Sequence, residues 1–332
     1  MTRSFVCCAS RGVPVEVQNY IDDTGVQVAD VVVGFRMLEG KSLEQIRDIA
    51  ATTRFDYYCW DLYARVTEWY EGDKERLATR AQTLHDIEHG GSENAEIAAF
   101  IADRIVRCHL KTMARMNVDY DLLTWEGDIL RLKFWAQAFD VLKAKGAVYL
   151  QKEGRLAGCW VMPIQEDLEA NPESRPDADE EEREKVIVRS NGVVTYVGKD
   201  IAYQFWKLGL LGKDFHYRIF EQRPQGSLWA TCTSGGQGHH PMFGGAACVY
   251  NVIDVRQSYL QKLLKQALIA VGHSEGRSAR IISRTRWSRS RMRPPASSAT
   301  RRQPIQRTPN VRSWRSRAAR GSASRPTICS TR

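Results

Sequence analysis

At residue 277 the chemistry of the chain changes abruptly, and that change limits where a fold can be built. Residues 277–332 hold sixteen Arg and no Lys, Asp or Glu. Hydrophobic periodicity stops at the same point. The 332-residue chain has a formal charge of +9; this segment alone is +16, leaving −7 for residues 1–276. An Arg/Ser-rich stretch with so few apolar residues cannot bury enough surface to offset its ordering entropy, so 277–332 is expected to be a basic disordered tail. Two readings of it differ in kind. As an RNA-binding arm, it offers Arg for phosphates and Trp287 and Trp314 for base stacking. As the product of a shifted reading frame in a GC-rich gene, it has no function. Either way, the core must come from the mildly acidic body.

Eight Cys are scattered without a C-x-x-C pair. That pattern fits a reducing setting and a cytoplasmic location better than a disulfide framework or a zinc ribbon. No run of about 18 apolar residues is present, so no spanning helix and no membrane partner is expected. Residues 1–10 lack an apolar h-region, so no signal peptide is expected.

The body alternates strands and helices. "VEVQNY" (15–20) reads as a buried strand, followed by an acidic turn, Asp22-Asp23-Thr24-Gly25, and an apolar run, Val26 to Val33, that opens a helix. About 41–115 read as a helical insertion, beginning at a capping box with Ser42 as N-cap and Gln45 at its third helical position. "VDYDLLTWEGDIL" reads as a strand and then a turn. "FWAQAFDVLKAKG" is an amphipathic helix ended by Gly146, and "AVYLQKEGRLAGCWVMPI" is a hairpin around Glu153-Gly154. Residues 166–184 are acidic and read as a surface loop. Asn191-Gly192 marks a turn between two strands; Tyr196 then ends a strand, and a helix starts near Lys199 with Asp200 in its first turn. "CVYNVIDVRQSYLQKLL" gives a further strand and a long helix. The pattern predicts an α/β fold with a parallel sheet and a helical insertion.

Ligands of open α/β sheets bind beyond the carboxyl ends of strands. That places two groups at a ligand edge: Tyr196 with Asp200, and Asp254, Arg256 and Gln257. A carboxylate such as Asp200 can hold a cationic ligand, although a helix-start Asp also stabilises its own helix dipole. "HDIEH" matches H-x-x-E-H, with His85 and His89 one turn apart, but a catalytic zinc needs a third ligand. A solvated helix end is the simpler reading, and no metal site is assigned. "TSGGQGHHPMFGGAA" has neither phosphate-binding glycine spacing, so His239 and His240 belong to a surface loop. "EGDILRLK" reads as amphipathic structure.

Four stretches, "VEVQNYIDDTGVQVADVVVGF", "MNVDYDLLTWEGDIL", "SNGVVTYVGKDIAYQFWKLGLL" and "VYNVIDVRQSYLQKLL", together resemble arginyl-tRNA synthetase, a class I aminoacyl-tRNA synthetase. They follow the family's order across roughly 13–276, and "TYVGKDIAY" is similar to its Tyr-x-Thr-Arg-Asp-Ile-Ala block. The resemblance implies a class I synthetase Rossmann-like parallel sheet and a partial catalytic domain over 13–276, behind an atypical remnant at 1–12. It implies ATP-dependent activation of L-arginine and transfer to tRNA(Arg). ATP acts as a substrate with Mg2+, no cofactor is tightly bound, and the expected state is a monomer.

By the same resemblance, Tyr196, Asp200 and Gln257 contact arginine, and Asn19, Asp22, Asp23, Gly25 and Gln27 shape the site. Lys199 stands in place of the block's Arg and keeps its charge, a change expected to matter little. The family's His-Ile-Gly-His-like and Lys-Met-Ser-Lys-like motifs have no counterpart in the chain, so no catalytic residue is assigned. Aminoacylation by this chain is expected to be impaired or absent. An open hydrophobic sheet edge is expected beside the strand at Val15. The alternative reading is a non-catalytic RNA-binding or regulatory paralogue that uses the Arg-rich tail.

Overall fold

Residues Val17–Ile21 form strand β1, and side-chain alternation decides what each face of the sheet meets. Val17 and Ile21 pack with Val106 and Leu110. Gln18 and Tyr20 turn to the opposite face and meet Tyr203. In the computed structural model, which describes residues 12–163, 184–192, 194–224, 226–253, 258–273 and 328–331, β1 pairs in parallel with β2 (Leu122–Trp125). Strand β2 in turn pairs in parallel with β7 (Gly226–Cys232). On the outer side of β7 lies antiparallel β6 (His216–Arg223).

On its other side β1 pairs antiparallel with β9 (Ile328–Thr331), and β9 pairs antiparallel with β8 (Asn251–Val252). The sheet order is β6-β7-β2-β1-β9-β8. The open edge expected beside β1 is therefore occupied, because β1 and β8 leave a slot one strand wide whose two sides both offer backbone hydrogen bonds. Apart from Ile328–Thr331, the Arg-rich segment lies outside the described residues, as do the acidic stretch 164–183 and residues 1–11.

Helix α1 (Val26–Val33) follows the acidic turn and runs into a π-helical turn, Gly34–Leu38. Four helices then form a layer of their own: α2 (Leu43–Thr52), α3 (Phe55–Glu71), α4 (Leu77–His89) and α5 (Glu93–Arg115). Ser42 and Gln45 make the reciprocal capping box at the start of α2. These helices share a core of Ile46, Leu62, Ile97 and Phe35, all fully buried. Gly34 is required where the π-helical turn crosses α3, since a Cβ there would lie 2.6 Å from Leu62.

After β2 the chain forms α6 (Glu126–Arg131), not the turn expected for "EGDIL". It continues into α7 (Phe134–Ala144), with Gly146 at φ +67 just past its end. A second, antiparallel sheet holds β3 (Tyr149–Leu150), β4 (Trp160–Pro163) and β5 (Glu184–Val188). Beyond β5 comes α8 (Tyr196–Lys207), and beyond β8 comes α9 (Ser258–Ala270).

The start of α8 corrects the sequence reading. Tyr196 is its first residue rather than the end of a strand, and Asp200 falls in its second turn. The expected second strand shrinks to one bridge, Val194 with Val188. The tight turn at Asn191-Gly192 (φ +83) and the bonds from Thr195 Oγ1 to the Val186 and Ile187 carbonyls (3.0 and 3.1 Å) use up the residues that strand needed. Helix α8 thus enters from the small sheet and lies across the large one.

Asp30, fully buried in α1, binds Arg80 of α4 through two bonds of 2.7 and 3.0 Å, and the guanidinium lies 4.4 Å from the centre of the Tyr70 ring. Removing one partner of such a pair strands a buried charge. Because Arg80 is partly open to solvent, Arg80→Ala is expected to cost about 2–4 kcal/mol, near the low end for buried pairs. Urea denaturation checks this, with Arg80→Lys recovering only part of the loss because it cannot bind bidentately.

Candidate functional site

The parallel register Ile21↔Trp125 brings two acidic turns side by side. Asp22 and Asp23 follow β1, while Glu126 and Asp128 follow β2. Each carboxylate is held differently. Asp23 accepts the Gly127 N–H at 2.8 Å. Asp128 accepts Thr231 Oγ1 at 2.7 Å, and that oxygen itself accepts the Trp125 N–H at 3.0 Å, so the end of β7 is tied to the end of β2. Two glycines permit the crowding. A Cβ on Gly25 would lie 2.5 Å from Asp22, and one on Gly127 would lie 2.7 Å from Arg131 and 2.9 Å from Asp23.

Glu126 is the hub. Its Oε2 accepts Tyr20 OH at 2.8 Å. Its Oε1 accepts Thr24 Oγ1 at 3.1 Å and the Lys199 ammonium at 2.7 Å. Three donors from β1, the turn after it and α8 thus converge on one mostly buried carboxylate.

Asp200, next to Lys199, faces a cavity lined also by Tyr20, Tyr203, Gln204, Lys207 and Asn251. Its carboxylate takes no hydrogen bond from any described residue. Burial, and after it the Glu126 charge, push the Asp200 carboxyl up to about 7. Burial likewise pushes Asp23 up to about 7.

Deeper in the cavity the groups are paired. Lys207 Nζ donates to Asn251 Oδ1 at 3.0 Å and sits 4.1 Å from the centre of the Tyr203 ring. Asn251 Nδ2 donates to Gln204 Oε1 and to Gln261 Oε1, both at 3.2 Å. Gln204 Nε2 is buried with no partner among the described residues. Under the cavity, Tyr203 OH donates to Gln18 Oε1 at 2.5 Å and is 3.0 Å from Thr124 Oγ1. This floor therefore carries a carboxylate that no described residue hydrogen-bonds. Such a group suits a donor-rich cation.

The residues singled out by sequence are placed as follows. Asp22, Asp23 and Gly25 lie in the turn beside Glu126, and Gln27 is in the first turn of α1. Asn19 points to the face of β1 away from Tyr20, and its buried Oδ1 has no partner among the described residues. Tyr196 opens α8, while Asp254, Arg256 and Gln257 lie outside the described residues. The His85 and His89 rings stack at 4.0 Å, and His89 Nδ1 sits 2.9 Å from the His85 carbonyl. Among the described residues no group of three or more His, Cys, Asp or Glu is arranged to hold a metal ion. His240 packs its ring on Tyr217 at 4.5 Å in the glycine-rich loop. Sequence reasoning passed over Glu126, Asp128, Gln204 and Lys207, and gave Lys199 no role beyond its charge. A usable signal was there: "WEGD" directly after a strand parallels "IDDTG" after β1.

Comparison with known proteins gives a consistent answer, although no family model matches the chain. The arginine–tRNA ligase of Thermococcus kodakarensis is 32% identical over 272 residues, covering 80% of this chain and 40% of that protein. That of Thermus thermophilus is 33% identical over 273 residues, with the same coverage. The solved Thermus thermophilus arginyl-tRNA synthetase superposes with a TM-score of 0.61 at 28% identity, covering 80% of this chain and 41% of that one. Over this stretch the chain is similar in sequence and in fold to the arginyl-tRNA synthetases. It spans about 40% of the length of the relatives it matches. The α/β sheet and helical layer described above are this part of the arginyl-tRNA synthetase fold.

The raised carboxyls have a signed consequence. Between about pH 4, where an unfolded Asp titrates, and pH 7, the folded protein holds protons that the unfolded chain has released, so stability falls as pH rises through that window. Asp200→Asn removes one such buried charge. It is expected to raise the melting temperature at pH 8 and leave it nearly unchanged at pH 4, as read by calorimetry. A lower melting temperature for the variant at pH 8 contradicts the assignment.

Proposed function

We propose that this chain carries the amino-acid-recognition part of an ATP-dependent arginine–tRNA ligase, and that its cavity takes the guanidinium of L-arginine. The observation that carries the reading is Asp200: a cavity-lining carboxylate that takes no hydrogen bond from any described residue, at the carboxyl edge of a parallel sheet. A guanidinium is planar, always charged and presents paired donors, so one carboxylate can bind it bidentately where a lysine ammonium makes a single point contact. Tyr196, at the start of the same helix, and Gln257, just before α9, are assigned to the same ligand. Asp22, Asp23, Gly25 and Gln27 shape the turn that borders it.

ATP, with Mg2+, and tRNA(Arg) are the remaining partners of the reaction, and a cytoplasmic monomer is the setting the reading implies. Activation needs cationic and hydrogen-bonding groups on the phosphates. The His-Ile-Gly-His-like and Lys-Met-Ser-Lys-like segments that the family uses for this are not in the 332 residues. The chain alone is therefore assigned arginine binding with little adenylate formation.

Two measurements on the full chain test the reading. Calorimetric titration with L-arginine at pH 8 should show binding that Asp200→Asn weakens by at least about 30-fold, the low end for neutralising a buried charge partner. Arginine-dependent ATP–pyrophosphate exchange should stay near background. Undiminished binding by Asp200→Asn removes the carboxylate from the site, and robust exchange removes the claim of a recognition-only chain.

A further inference from the structure

We propose that Lys199 is a positioning residue: its ion pair with Glu126 occupies the neighbouring carboxylate and leaves Asp200 as the ionised group that receives the cationic end of the ligand. The inference rests on the arginine reading of the cavity only for the identity of that ligand. In the sequence Lys199 has only a charge to keep; its surroundings in the fold supply a task.

The geometry is specific. Lys199 closes the first turn of α8 and Asp200 opens the second. Lys199 Nζ lies 2.7 Å from Glu126 Oε1, and the two side chains are only 14% and 12% exposed. Glu126 also accepts Tyr20 OH and Thr24 Oγ1. With three donors on about four lone-pair sites, it has little left to offer a ligand. Asp200 has none of this engagement.

The groups around Asp200 come from every packed element. Tyr20 comes from β1, Asp22 from the turn after it, and Glu126 from the start of α6. Lys199, Tyr203 and Lys207 share its helix, and β8 and α9 add the neutral amides Asn251 and Gln261. Among these described groups, Lys199 and Lys207 against Asp22, Glu126 and Asp200 leave one net negative charge. Removing Lys199 leaves two, and crowded carboxylates then retain protons. Lys207 cannot replace it, because its ammonium is held by Asn251 and the Tyr203 ring.

Burial and then the Glu126 charge push the Asp200 carboxyl up to about 7 even though Lys207 and Lys199 both pull it back. Loss of Lys199 should therefore move its titration upward by about one unit, the low end of what a nearby opposite charge does. A carboxylate shifted by one unit is mostly protonated at pH 7, and a cation then binds several-fold to tenfold more weakly.

The experiment uses the full chain and three variants, Lys199→Met, Lys199→Arg and Glu126→Gln. Carbon-detected NMR follows the Asp200 carboxyl without ligand, and calorimetry follows L-arginine binding from pH 6 to 9. The expected result is an upward shift in Lys199→Met for both midpoints, recovery in Lys199→Arg, and a downward Asp200 shift in Glu126→Gln. An unmoved Asp200 midpoint overturns the proposal, as does arginine binding that weakens equally at every pH, which a merely structural clamp would give. If Lys199→Met does not fold, Glu126→Gln decides: its Asp200 midpoint must fall. If the midpoints shift as expected but arginine does not bind the unmodified chain, the tuning stands and the arginine reading fails.

Discussion

The parallel pairing of β1 with β2 sets the electrostatic problem that the rest of the structure answers. Neighbouring parallel strands lie about 4.8 Å apart, so turns that leave their carboxyl ends in register must share one small volume. Here both turns are acidic, and Asp22, Asp23, Glu126 and Asp128 meet there. Unrelieved, four such charges would hold one another protonated or push the strand ends apart. The relief comes piecemeal: a backbone N–H for Asp23, a threonine for Asp128, and a tyrosine, a threonine and a lysine for Glu126.

Helix α8 completes this arrangement and adds to it. It brings Lys199, which answers Glu126, and Asp200, whose carboxylate takes no hydrogen bond from any described residue. That asymmetry separates a structural carboxylate from a receptive one, although both stand at the same sheet edge. The floor beneath is tied together because Tyr203 of α8 bonds to Gln18 of β1 and to Thr124 of β2, joining three elements. A receptive group on such a floor is ready for a ligand before the ligand arrives, which lowers the cost of binding. The same readiness carries a cost, since a carboxyl pushed up to about 7 opposes folding once it ionises.

What the sequence disclosed follows the range of the interactions. The capping box at Ser42, the helix end at Gly146 and the strand before Asp22 all rest on signals a few residues long. Glu126 carries no such signal. Its partners Tyr20, Thr24 and Lys199 are 106, 102 and 73 residues away, so only folding unites them. For the same reason "EGDIL" read as a turn in an amphipathic stretch. The start of α8 was misjudged by three residues because β-branched Val193, Val194 and Thr195 look like a strand, whereas Thr195 bonds back to the Val186 and Ile187 carbonyls and ends the extended run.

The account stands on one claim, that a cation is read by the Asp200 carboxylate. L-citrulline has nearly the shape of L-arginine and no charge, so competition between the two isolates that claim. At pH 8 the full chain should bind L-arginine and discriminate against L-citrulline by on the order of 10²-fold, the cost of leaving a buried charge unpaired. The preference should shrink as pH falls through 7 and Asp200 takes up a proton. Equal binding of the two ligands, or a preference that does not change with pH, would contradict it.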